Sequence, residues 1–380
     1  MSQPDERQET RLWVDWAARQ ISTPVERLRY LQSVAPPARQ ARRKSHKTIG
    51  LLALLVLGSV AAPLSLRMSG AAHAALPVQT PRVLPPRKSV EDGGARSADV
   101  WQVEKAGDFE TYSNGLRIEN QYAVSHRPRA YAAFSIADPD AARGVKRTDP
   151  VGIVFHTTES LQAPFESSQN EVLKRVGESL IDYVRRRRCY NFLIDRFGRV
   201  FRIVNEGDAA DHAGHSVWAD GEYFYVNLND SFIGISFEAQ TGGGDTRTGV
   251  SDAQVRAAGM LTEMLRGRYK IPGGNCVTHA QVSVNPSNMQ IGYHVDWGSS
   301  FPFEKLGLPD NYAAPSPAVS LFGFAFDRSF EQRAGVRLAA GAIAADRTLG
   351  EQARTAQMSP AAYRNALHRR YLKVMARHLG

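Results

Sequence analysis

Val151–Thr158 reads VGIVFHTT. Val151, Ile153 and Val154 are β-branched, and no polar residue interrupts the run before His156. Such a short, continuous apolar run predicts a strand covered on both faces. His156 closes it, facing a polar TTES loop. Working outward, NEVLKRVGESLIDYV spaces Val172, Val176, Leu180 and Val184 as one helix face. CYNFLIDRFGRVFRIV reads as two strands joined at Arg196-Phe197-Gly198. SFIGISFEAQ is a strand closed by a glycine run, and SDAQVRAAGMLTEMLRGRY is an amphipathic helix with Ser251 as its N-cap. NCVTHAQVSV is a further strand, with His279 at its end. Strands alternating with helices predict an α/β (α+β) fold, a central, mostly mixed sheet flanked by helices.

The formal net charge is +9, but it is unevenly placed. Residues 1–74 carry 11 Lys/Arg against 5 Asp/Glu, and residues 321–380 carry 10 against 4. Each end is thus +6, which leaves −3 for residues 75–320. The central region has no electrostatic case for a polyanion, so nucleic acid is excluded as its partner. Two cysteines, Cys189 and Cys276, are too few for a disulfide framework or a cysteine-rich zinc module, and two free thiols are the simpler reading.

The chain divides by composition. Residues 1–48 end in the basic cluster ARRKSHK, and no charge occurs from Ile49 to Leu66. A run of that length crosses a bilayer as a helix, and the basic flank places residues 1–48 in the cytoplasm. Ala72-His73-Ala74 fits a signal-peptidase site, so residues 49–66 are a transmembrane anchor or a late export signal, with the anchor favoured by the long segment before it. Residues 67–99, rich in Pro, Gly and charge, read as a flexible linker. The folded domain spans 100–320. Residues 321–380 are rich in Ala and Arg, with Tyr363, Leu367, Tyr371 and Val374 at helical spacing. They read as a helical extension, either packing on the domain or touching an anionic polymer or lipid.

Two strand-end histidines, His156 and His279, meet at one edge of such a sheet. A hydrolytic zinc site takes three protein ligands and leaves the fourth position open. Asp296 or His294, two residues apart in IGYHVDW, supplies the third.

GIVFHTTES, CYNFLIDRFGRVFRIV, DHAGHS, NDSFIGISFE, VTHAQVSV and HVDW…FPF occur in an order that resembles the type 2 N-acetylmuramoyl-L-alanine amidases, the peptidoglycan recognition proteins and the T7 lysozyme-like fold. The resemblance covers roughly residues 151–308. It implies a zinc-dependent hydrolase of the bond between the muramic acid lactyl group and L-alanine. It further implies His156, His279 and Asp296 on Zn²⁺. His294 falls where many members carry an oxyanion-stabilising lysine, and Tyr190 falls at a tyrosine near the reacting water. His212 and His215 of DHAGHS lie on a segment lining the substrate groove, with Trp218 just beyond. Peptidoglycan or muropeptides are the implied partner, met in the bacterial cell envelope by a monomer held to the membrane through its N-terminal helix or exported.

Two features depart from that pattern. His279 and Asp296 are 17 positions apart, more than is usual, and VNPSNMQIGY between them reads as an inserted loop. Ser236 stands where many members carry a catalytic glutamate, and Glu238, two residues on, points to the same face of a strand and takes the role of base. A histidine in place of lysine carries a positive charge only while protonated, so activity is expected to fall toward alkaline pH. The rival reading is a peptidoglycan sensor that binds without cleaving.

Overall fold

The structure is a computed structural model that describes residues 99–141, 143–241 and 249–379. The anchor or signal expected at 49–66, its cytoplasmic flank and all but the end of the linker lie outside the described residues. No helix among the described residues is long and apolar enough to cross a membrane.

The VGIVFHTT strand is the centre of the fold. It forms β6 (Gly152–Thr157), buried at every position. Ahead of it run β1 (Gln102–Lys105), β2 (Phe109–Tyr112), β3 (Arg117–Glu119), β4 (Tyr131–Ser135) and β5 (Val145–Arg147). After it come α1 (Asn170–Arg187), β7 (Phe192–Ile194), β8 (Val200–Arg202), β9 (Val217–Ala219), β10 (Tyr223–Val226), α2 (Leu228–Ser231), β11 (Phe232–Phe237), α3 (Asp252–Tyr269) and β12 (Cys276–Thr278). The main sheet is eight-stranded, ordered β1-β2-β3-β8-β7-β11-β6-β12. Its β7, β11, β6 and β12 lie parallel to one another, while β7 pairs antiparallel with β8. The sheet is therefore mixed, as the alternation of patterns predicts.

The expected hairpin is β7–β8. Asp195 closes its turn by accepting the Phe197 and Arg199 N–H groups. Helix α1 buries Leu173, Leu180, Ile181 and Val184, so the apolar stripe includes Leu173, with Val172 and Val176 at its margin. Ser251 caps α3 in a reciprocal capping box with Gln254, a device worth about 1 kcal/mol. No disulfide joins Cys189, which is half-buried, to Cys276, which is buried.

A second, antiparallel sheet runs β5-β4-β10-β9. Helices α5 (Pro317–Phe322), α6 (Arg328–Ala334), α7 (Val336–Thr355) and α8 (Pro360–Leu379) follow the central domain, with α4 (His279–Val282) directly after β12. Phe322 meets Phe224 of β10 edge to face at 5.4 Å, and Tyr371 of α8 packs on Phe322 and Phe324. Leu367, Tyr371 and Val374 are buried in the same core as Phe134 and Phe224. The Ala/Arg-rich segment thus covers the second sheet with the stripe its spacing predicts.

Candidate metal centre

The register of the parallel strands assembles the site. Ser236 pairs with His156, and Thr278 pairs with Phe155. His156 near the end of β6 and His279, the residue after β12, therefore share the carboxyl edge of the sheet, where open α/β sheets place their ligands. Their ring centroids are 4.5 Å apart.

The inserted segment before Asp296 is a β-hairpin. Its strands β13 (Val284–Asn285) and β14 (Gln290–Ile291) pair antiparallel and turn the chain back. Gly292 donates its N–H to the Ser283 carbonyl, and His294 donates its own to Ser283 Oγ. Gly292 has φ +75°, and a Cβ there would lie 2.3 Å from Phe330 Cδ2, so no other residue fits that corner. The hairpin cancels the 17-residue separation and returns Asp296 to His279. Asp296 Oδ1 lies 2.9 Å from His279 Nδ1, and Oδ2 lies 3.5 Å from His156 Nδ1. The Thr157 N–H also points at Oδ2, at 3.4 Å. The next residue, Trp297, is buried with φ +73° and is pinned by donation from its N–H to Thr241 Oγ1 at 2.7 Å. A positive φ in a large aromatic residue is a strained conformation, held by its surroundings beside the site.

One ligand atom each from His156, His279 and Asp296 can be chosen so that all lie within 4.8 Å of one another. All three residues are buried. Burial drives His156 down to about 4, with His279 adding to the push and Asp296 opposing it. Burial pulls the Asp296 carboxyl upward, but His279 and His156 outweigh it and hold it well below the usual carboxylate range. A neutral imidazole and a carboxylate are the forms that ligate a metal. Between the aspartate and the other third-ligand candidate, the geometry places Asp296 in the triad. His294 lies outside it, stacked on the His279 ring at 4.7 Å.

His294 does not fit the role of a cationic donor. Burial first, and then His279, push it down to about 3, so it is neutral near neutrality. That downward shift runs against the alkaline fall in activity expected from its deprotonation. Tyr190 fits better. Its ring centroid is 5.1 Å from that of His156, and burial pushes its phenol far above the usual range, so it keeps its proton. Its backbone is left-handed, with φ +61°. It faces Ser236, a fully buried residue whose hydroxyl has no hydrogen-bond partner of good geometry.

Glu238 is held elsewhere. Its carboxylate accepts the Arg196 N–H at 3.2 Å, on the β7–β8 turn, and burial lifts it to about 6 against that hydrogen bond. Trp218 is a correction to the sequence reading. It is 6% exposed, with its indole N–H donating to Asn275 Oδ1 at 3.1 Å, so it packs in the core and offers no face to a substrate. His215 is exposed and close enough to depress His294, which sets it at the rim. His212 turns inward rather than to a groove. Its Nδ1 is 3.0 Å from His156 Nε2, and its Nε2 is 3.2 Å from the Phe232 carbonyl. The one sequence signal for this placement is Gly234 in IGIS. A Cβ there would lie 2.6 Å from His212 Cγ, so only glycine leaves room for the ring.

Residues 146–298 match the family model described as N-acetylmuramoyl-L-alanine amidase. No curated protein matches the chain. Among solved structures, the chain is similar to the Escherichia coli amidase AmiD in complex with anhydro-N-acetylmuramic acid-L-Ala-D-γ-Glu-L-Lys, at 22% identity over 41% of this chain and 56% of that one, with a TM-score of 0.32. It is similar to AmpDh3 from Pseudomonas aeruginosa in complex with anhydromuramic pentapeptide, at 24% identity over 41% and 58%, TM-score 0.30. A third is the Drosophila peptidoglycan recognition protein SD, at 18% identity over 42% and 84%, TM-score 0.25. The chain spans just over half the length of the first two.

Proposed function

We propose that this chain, which carries a type 2 amidase domain across residues 146–298, is a zinc-dependent N-acetylmuramoyl-L-alanine amidase. It cleaves the amide between the muramic acid lactyl group and L-alanine of peptidoglycan. The observation that carries this reading is the buried His156–His279–Asp296 group at the carboxyl edge of the parallel strands.

The donor set fits Zn²⁺. Two neutral imidazoles and one carboxylate make a three-ligand set of the kind that leaves one position open. Bound there, Zn²⁺ lowers the pKa of a water to about 7 and polarises the scissile carbonyl. The protein's own groups do the rest. Tyr190, protonated and half-buried beside His156, donates to the oxygen that becomes negative during attack on the amide. Ser236 is fully buried and faces Tyr190, where its hydroxyl helps to orient the phenol. His294, neutral and half-buried beside His279, is a neutral hydrogen-bond partner for the leaving amine. Its neighbour Tyr293 packs edge-on against its ring and is 44% exposed.

The substrate lies outside the cytoplasmic membrane. The charge-free run at 49–66 is the device that carries the amidase domain there, as an anchor or as an export signal. One observation favours a second reading, a muropeptide sensor without turnover. Ser236 replaces the glutamate that many relatives use, and Glu238 is tied to the β7–β8 turn.

The test is a digest of purified sacculi with the protein plus Zn²⁺ or plus a chelator, read by mass spectrometry. Free stem peptides beginning at L-alanine, formed only with zinc, are the expected result. Binding to sacculi with no release would discard the amidase in favour of the sensor.

A further inference from the structure

We propose that His212 is a positioning residue that fixes the tautomer of His156, so that His156 presents Nδ1 to the metal. This rests on the zinc-centre reading above and goes beyond it.

The argument follows hydrogen-bond roles outward from a carbonyl. The Phe232 carbonyl only accepts, so His212 Nε2, 3.2 Å away, carries a proton. The buried Arg129 guanidinium donates to the same carbonyl at 3.0 Å, and an imidazole is ordinarily neutral above about pH 6.5. A neutral imidazole has one N–H, so His212 Nδ1 is a lone pair. His156 Nε2, 3.0 Å from it, must donate. His156 Nδ1 is then also a lone pair, and it faces Asp296 Oδ2 at 3.5 Å. Two acceptors facing each other in a buried site call for a cation between them.

The relay is built in. His212 is tethered by donation from its own backbone N–H to Asn229 Oδ1 at 2.8 Å. Its ring lies over Gly234, at a spot that any Cβ would fill. Zinc-ligating histidines are ordinarily oriented through their second nitrogen by a carboxylate, a backbone carbonyl or water. Here a second imidazole is interposed, and the carbonyl fixes His156 through it.

Two measurements on the full-length protein test this. The first is long-range ¹H–¹⁵N correlation of the imidazoles in the zinc-loaded wild type. The expected spectrum has His156 and His212 both protonated at Nε2. A His156 protonated at Nδ1 would overturn the proposal, and this reading needs no variant to fold. The second is Zn²⁺ affinity by chelator competition. His212→Asn keeps an acceptor oxygen where Nδ1 stood, whereas His212→Gln moves its amide to the Nε2 position. His212→Gln should weaken zinc by roughly 10–100-fold, the range for changes beyond the ligands themselves. Gly234→Ala should do the same by displacing the ring, and His212→Asn should stay close to wild type. Wild-type affinity in both His212→Gln and Gly234→Ala would overturn the relay. Zinc held through the relay without release of stem peptides would overturn the hydrolase reading alone. A wild type that binds no zinc at the triad would overturn both.

Discussion

Glu238→Gln separates a buried carboxylate's thermodynamic cost from any catalytic part it plays. Glu238 is 5% exposed, and burial lifts its folded-state pKa to about 6 from an ordinary 4.5. Between those two pH values the folded protein holds a proton that the unfolded chain has released. Stability from this group is therefore fully present below pH 4.5 and is lost as the pH rises through 6. The difference is about 1.5 units, so the ionised side chain costs the fold about 2 kcal/mol at pH 7–8. Glutamine is isosteric, accepts the Arg196 N–H through its amide oxygen, and does not ionise. Any fixed penalty for its NH₂ group is independent of pH and cancels from the comparison. The assay is the melting temperature of wild type and variant from pH 4 to pH 8. The variant should gain on the wild type across that range by several degrees, the shift that about 2 kcal/mol produces in a domain of this size. A difference that stays flat with pH would refute the reasoning. Release of stem peptides, measured on the same samples, should survive the change. Its loss would restore Glu238 as the base expected from its place in the sequence.

Asp296→Asn should lower zinc affinity by more than the roughly 10–100-fold of an outer change, because a ligand itself is removed, and chelator competition will show it. Tyr190→Phe should reduce kcat by about 100-fold or more while leaving zinc content unchanged, since one oxyanion donor is lost and no ligand is touched. His156 carries a pH signature in the metal-free protein. Its folded value of about 4 lies below the ordinary 6.5, so the unfolded chain binds more protons between them. Chelated protein should thus be most stable above pH 6.5 and lose stability as the pH falls toward 4, and zinc-loaded protein should resist the fall. Measured in Glu238→Gln, which removes the opposite contribution of that carboxyl, a melting temperature of the chelated form unchanged between pH 7.5 and pH 5 would refute it.

What the sequence shows and hides at this site follows from how each residue gets there. His156 and His279 are legible because each ends an apolar run, and parallel strands of one sheet end at a common edge. Asp296 is half legible. Its distance from His279 looks like a defect until the β13–β14 hairpin is seen to close on itself, and only pairing of Val284 with Ile291 reveals that. His212 is illegible as what it is. DHAGHS reads as a surface loop with two histidines, and nothing local says that one ring turns in beneath β11 while the other faces solvent. That choice is made 22 residues later, at Gly234, where the strand leaves a Cβ-sized gap. Glu238 fails in the opposite way. Its parity with Ser236 predicts a shared face of the strand, but parity says nothing of height along it, and β11 ends at Phe237. Two residues beyond Ser236 the strand has already passed the histidine cluster and reached the β7–β8 turn, where Arg196 takes the carboxylate. The sequence thus specifies the metal ligands through strand ends and the support behind them through an absent side chain, and the second kind of signal acquires meaning only once the neighbour that fills the gap is known.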